Sequence, residues 1–246
     1  MRFITLTIFL LATSLLFLPV AQPQMIQVIV GGKPAVASCS TPTGTTLTES
    51  FGDSTTSCWT SGPSTCNNTW TIGDGTAHSI ITSPSGASDN TACSNSLQFA
   101  YSGGSEYILK SVTGKDVNTA VDLELLIRFS AWTIASYDAA QVLTLSQYTD
   151  LTGFRLSLNV YNAGGTYKLR AGGTGSSDDT TSLSLNTWYL VNIHLETGTN
   201  ASSISVNSNT PTTFTQGAYN ATYIGFGRAS STTNTSTSIV GYLTLD

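Results

Sequence analysis

The chain has 246 residues, only 9% of them charged, and a formal net charge of −5. Such sparse charge, abundant Ser and Thr and the lack of a basic cluster argue against a nucleic-acid partner. They also argue against an ordinary cytosolic enzyme, in which about a quarter of the residues are charged.

The first segment reads MRFITLTIFLLATSLLFLPVAQ, with Arg2 ahead of a nearly unbroken apolar run and a small residue at Ala21. This is the pattern of a secretory signal over residues 1–21. Residues 22–44 then read as a spacer and residues 45–246 as one domain. Two alternatives exist: a retained anchor, or a lipoprotein-type ending at Val36-Ala37-Ser38-Cys39. Membrane contact is therefore expected only through the signal segment or lipidation at Cys39, and the protein is expected to be secreted or held at the cell surface. Cys39, Cys58, Cys66 and Cys93 form no CxxC and lie far along the chain from His194. That spacing speaks against zinc and for two disulfides in an oxidising compartment, with all three pairings open.

The predicted elements are all strands, separated by clusters of Gly, Ser, Thr, Asn and Asp. Residues 45–51 form one, and Ile80-Ile81 part of another. Residues 96–101 and 106–112 read as a hairpin joined through Ser-Gly-Gly. Residues 121–132, VDLELLIRFSAW, alternate with Val121, Leu123, Leu125, Ile127 and Phe129 on the apolar side. Residues 141–147, 154–161 and 166–171 follow, the last two joined by a turn at Asn162-Ala-Gly-Gly. Residues 188–196 pair with 202–206, and residues 223–227 and 239–245 close the chain. His78 reads as a loop residue, and Asp178-Asp179 as a solvated turn. So many antiparallel strands without helices imply an all-β fold, a two-sheet antiparallel β-sandwich.

The segments TLTESFGD (46–53), SLSLNTWYLVNIHLETGTNASSISVN (182–207) and TYIGFGR (222–228) carry a resemblance in their order and spacing. Residues 45–246 resemble the concanavalin A-like, laminin-G-like jelly-roll domains of secreted bacterial proteins. The resemblance implies binding of carbohydrate or of an extracellular protein ligand, with adhesion or attachment as the wider role. Many relatives carry an acidic pair in the last strand that contributes to a structural calcium site. Here Gly241-Tyr242 stands in that stretch, which leaves Glu49, Asp53 and Asp246 as the remaining oxygen donors. No other cofactor is expected.

Glycan-cleaving enzymes of the same class place carboxylates on one strand, and Asp122-Leu-Glu124 is the counterpart here. The third acid of that motif is missing, and Arg128 stands on the same face. Residues i and i+2 on a strand lie about 6.5–7 Å apart, close to the separations of paired hydrolytic carboxylates. Acid catalysis also needs an apolar wall or a like charge to hold one carboxyl protonated, and the sequence offers neither. No Ser-centred elbow accompanies His194. The polar side of the strands carries Glu124, Arg128, Trp132, Arg155, Asn159, Tyr161, Lys168, Arg170, Asn192 and His194. Gathered on one sheet, these make a polar, partly aromatic face suited to sugars. The candidate ligand-binding residues are Glu124, Arg128, Trp132, Arg155, Asn159, Tyr161 and His194. The expectation is a non-catalytic binding module. The alternatives are a polysaccharide-cleaving enzyme using Asp122 and Glu124, and a structural element of a surface assembly.

Overall fold

The structure is a computed structural model and describes residues 47–49, 51, 70–74, 78–82, 95–102, 105–228 and 233–246. Among these residues there is no helix, and so none that could cross a membrane. The signal segment, the spacer, Asp53 and all four cysteines lie outside the described residues.

The strands are β1 (Leu47–Glu49), β2 (Thr71–Asp74), β3 (His78–Thr82), β4 (Asn95–Tyr101), β5 (Glu106–Lys115), β6 (Val121–Thr133), β7 (Ala139–Ser146) and β8 (Phe154–Ala163). They continue with β9 (Thr166–Gly172), β10 (Ser176–Asp178), β11 (Trp188–Leu195), β12 (Ser202–Val206), β13 (Thr212–Phe214), β14 (Ala221–Arg228) and β15 (Thr235–Leu245). Sheet A runs β13-β12-β11-β6-β15-β4-β3, with β1 also on β15, and sheet B runs β10-β9-β8-β7-β14-β5-β2. The pairings are antiparallel, and the chain repeatedly crosses between sheets, as at β4 to β5, β6 to β7 and β13 to β14. This is a two-sheet antiparallel sandwich of jelly-roll type.

Alternation builds the core. Val121, Leu123, Leu125, Ile127 and Phe129 of β6 face Leu156, Leu158 and Val160 of β8 across the sandwich, all buried. Each such side chain contributes about 1.5–3 kcal/mol through removal from water. The expected 154–171 hairpin forms, and its turn needs positive φ at Gly164 (68°) and Gly165 (101°). The expected pair of β11 with β12 also forms.

Other expectations are corrected. Residues 96–101 and 106–112 are not a hairpin, because β4 lies in sheet A and β5 in sheet B. His78 opens β3, opposite Phe99 on β4. Asp178 and Asp179 are no solvated turn: Asp178 ends β10 in an ion pair with Arg170, and Asp179 is fully buried.

One irregularity positions the site. The register between β15 and β6 shifts between Val240 and Tyr242, which makes Gly241 the extra residue of a bulge. Val240 and then Leu243 and Leu245 join the core, while Tyr242 belongs to a separate cluster with Leu126, Trp188 and Ile239. A Cβ on Gly241 would come within 3.0 Å of Leu126 and 3.5 Å of Trp188, so the close packing of that cluster favours glycine. The added residue turns Tyr242 and Thr244 to the same side as Glu124.

Candidate functional site

Four adjacent strands of sheet A bring their polar positions together at one end of the outer face. Register places His194 between Ser203 and Asp122, and Asn192 between Ser205 and Glu124. Thr244 pairs with Glu124 on the far side, and the Asp246 amide donates to the Asp122 carbonyl at 2.9 Å. The result is two rows across the strands, Ser203–His194–Asp122–Asp246 and Ser205–Asn192–Glu124–Thr244. These side chains line a depression of about 330 Å³, floored by the backbone at Leu123 and Ile193. The volume lies at the low end of the roughly 300–1,000 Å³ typical of small-ligand sites.

Two contacts organise the rows. His194 Nδ1 lies 2.7 Å from Asp122 Oδ1, and its Nε2 lies 3.6 Å from Glu196 Oε2. The hydrogen bond to Asp122 raises the His194 pKa above its ordinary value, against a smaller desolvation, and Glu196 adds to the rise. The Tyr242 hydroxyl donates to Glu124 Oε1 at 2.8 Å. Burial of the phenol, with that bond to Glu124, pushes its pKa well up, so it remains a neutral donor. Asn192, Ser203, Ser205 and Thr244 make no side-chain hydrogen bond among the described residues, and Thr244 is only 5% exposed.

Ser203, His194 and Asp122 stand in the order of a nucleophilic triad, but the contacts do not fit one. The imidazole Nε2 faces Glu196 rather than Ser203, and a histidine flanked by two carboxylates favours its charged form, which is no base. Asp122 and Glu124 are likewise engaged, Asp122 by His194 and Glu124 by the Tyr242 hydroxyl.

The expected single binding face is divided. Glu124, Arg128 and His194 lie on strands of sheet A, whereas Arg155, Asn159 and Tyr161 lie on β8 of sheet B. Arg155 is fully buried; its Nε donates to Gln216 Oε1 at 2.7 Å, and its Nη1 and Nη2 donate to the carbonyls of Asp116 (3.0 Å) and Thr119 (2.6 Å). Asn159 donates to Ser157 Oγ at 3.0 Å, and Tyr161 lies beneath the Arg170 guanidinium at 3.3 Å. Trp132 stacks on Tyr167 with ring centroids 4.5 Å apart and packs against the core, so it closes the sandwich rather than offering a sugar platform. Arg128 is separated from the depression by Leu126; its Nη2 donates to Asn186 Oδ1 at 2.8 Å. Among the described residues its Nε and Nη1, like Trp188 Nε1, are buried without a partner, and burial lowers its pKa.

Of the expected calcium donors, Glu49 pairs with Leu243, while Asp246 lies three residues farther along and lines the depression. Among the described residues no three His, Cys, Asp or Glu side chains converge as a metal site. Sequence reasoning overlooked Ser203, Ser205 and Thr244. Alternation in Ser202–Val206, once paired with β11, marks the two serines; the bulge at Gly241 hides Thr244.

No family model matches the sequence, and no curated protein does. Solved structures with a similar fold include the cellulose-induced protein Cip1, at 13% identity over 81% of this chain and 96% of that chain, with a TM-score of 0.49. The carbohydrate-binding module CBM66 from Bacillus subtilis has 15% identity over 72% of this chain and 94% of its own, with a TM-score of 0.46. The PL7 alginate lyase AlyA1 from Zobellia galactanivorans has 14% identity over 73% and 95%, with a TM-score of 0.45. At such identities and scores the likeness carries no argument about function; the sheet topology itself defines the class, a jelly-roll β-sandwich.

Proposed function

We propose that the protein is a secreted or surface-held, non-catalytic module that binds carbohydrate through the depression on sheet A. The observation that carries this reading is the group Asn192, Ser203, Ser205 and Thr244, polar side chains in one depression with no hydrogen bonds of their own among the described residues. Sugar hydroxyls both donate and accept, and so does each of these four groups. Asp122, Glu124 and Asp246 add acceptors around them. Among the described residues no aromatic ring lines the depression, so recognition rests on hydrogen bonding rather than stacking.

A glycan array probed with the full chain, followed by calorimetry on retained glycans, tests this. The expected result is retention of at least one glycan class, weakened in Asn192→Ala, with no release of shortened or unsaturated products. Product release that disappears in Glu124→Gln would replace binding with catalysis. Retention of no glycan would leave the structural reading in its place.

A further inference from the structure

We infer that the sheet A depression selects a sugar unit bearing a free ammonium group, an amino sugar rather than a uronate. The inference rests on the carbohydrate-binding reading above and specifies its ligand class.

Charge gives the first argument. Among the described residues the lining holds Asp122, Glu124 and Asp246 and no Lys or Arg. Its one potential cation, His194, already lies against Asp122 and near Glu196. Glu124 is answered only by the neutral Tyr242 hydroxyl. The cation on the same strand, Arg128, stands four residues on, about 13 Å away by strand rise. A ligand carboxylate would thus approach the Glu124 carboxylate, and the one cation beside it, His194, is already engaged by Asp122 and Glu196.

Hydrogen-bond valence gives the second, independent argument. Thr244 is buried to 5% exposure, lines the depression and has no hydrogen bond among the described residues. It pairs directly with Glu124, which pairs with Asn192 on the other side. That row can supply an acceptor from each member: the Thr244 hydroxyl oxygen, the Glu124 carboxylate and the Asn192 amide oxygen. An ammonium carries three N–H donors and no acceptor. The remaining row, with Ser203 and the flanking Ser205, is left for sugar hydroxyls.

The test is calorimetry of the full chain at low salt and mildly acidic pH with four probes: a glucosamine tetramer, its N-acetylated counterpart, an alginate tetramer and tetralysine. The glucosamine tetramer should bind about tenfold tighter than the N-acetylated one, as a charge-assisted bond exceeds a neutral one, and the preference should shrink with added salt. Glu124→Gln should cost the glucosamine tetramer about tenfold and the N-acetylated tetramer several-fold less, so that the preference between them shrinks; Thr244→Val should weaken the former with a smaller loss. Equal binding of the two tetramers, or tighter binding of alginate, overturns the ammonium selectivity while the carbohydrate reading stands. Binding of tetralysine alone overturns the amino-sugar assignment in favour of a basic peptide. Failure of all three oligosaccharides overturns the amino-sugar assignment, and retention of any other glycan on the array then keeps the carbohydrate reading apart from it.

Discussion

The outer faces of the two sheets both carry polar side chains at alternate positions, but they use them differently. On sheet B the polar groups are committed within the protein: Arg155 makes three hydrogen bonds, and Arg170 is divided between Asp178 and Tyr161. At the β12 end of sheet A, Asn192, Ser203, Ser205 and Thr244 keep their hydrogen-bonding capacity open to a depression. A polar face therefore indicates recognition only where its donors and acceptors remain uncommitted. Types and spacing alone make the two faces look alike.

Arg155 is where breaking this contrast should cost most. Arg155→Ala removes three donors and strands Gln216 and two carbonyls, one of them the Asp116 carbonyl, in partly or fully buried places. At about 1–3 kcal/mol per orphaned group, the expected loss is about 3 kcal/mol or more of unfolding free energy, read from urea denaturation. Glycan affinity of the folded fraction should not change. A loss below about 1 kcal/mol would mean that Arg155 is replaceable by water and that sheet B is less self-contained than its contacts indicate.

The fold was largely legible because β6, β8, β11 and β12 alternate cleanly, and alternation reports which side of a strand is apolar. It does not report which sheet a strand joins. Arg155 and His194 therefore fell on one imagined face although they lie in different sheets. Glycines mislead in the same way: those after Tyr101 suggest a hairpin, yet β4 and β5 belong to different sheets. Within the site, Glu124, His194 and Asn192 were readable from strand parity. Thr244 was not, since a single extra residue at Gly241 reverses the parity of everything after it.

A smaller effect sharpens the other half of the comparison. The Asn192 side chain has no hydrogen bond to lose among the described residues, so Asn192→Ala should alter unfolding free energy by no more than about 0.5 kcal/mol. Glycan affinity should fall by about 1 kcal/mol, roughly fivefold, because a neutral hydrogen bond to ligand is removed. Ser203→Ala should behave alike, with a smaller loss. A variant that instead lowers stability by 2 kcal/mol would show that the row holds the sheet together.

The smallest expected effect concerns pH. The bond to Asp122 lifts the His194 pKa above 6.5, so the folded state holds this proton more tightly than the unfolded chain does. The contribution is therefore complete below the unfolded value near 6.5 and is lost as pH rises through the higher folded value. The side chains of His194 and Asp122 are 38% and 69% exposed, so solvent screening holds the effect to a few tenths of a kcal/mol. Following the imidazole Hε1 proton by NMR should give a midpoint above 6.5, falling towards it in Asp122→Asn. Stability curves of the parent and His194→Gln should converge as pH rises past that midpoint. A midpoint at or below 6.5 would detach His194 from Asp122 and leave its Nδ1 open to ligand, which would move the line between committed and open groups into the middle of the first row.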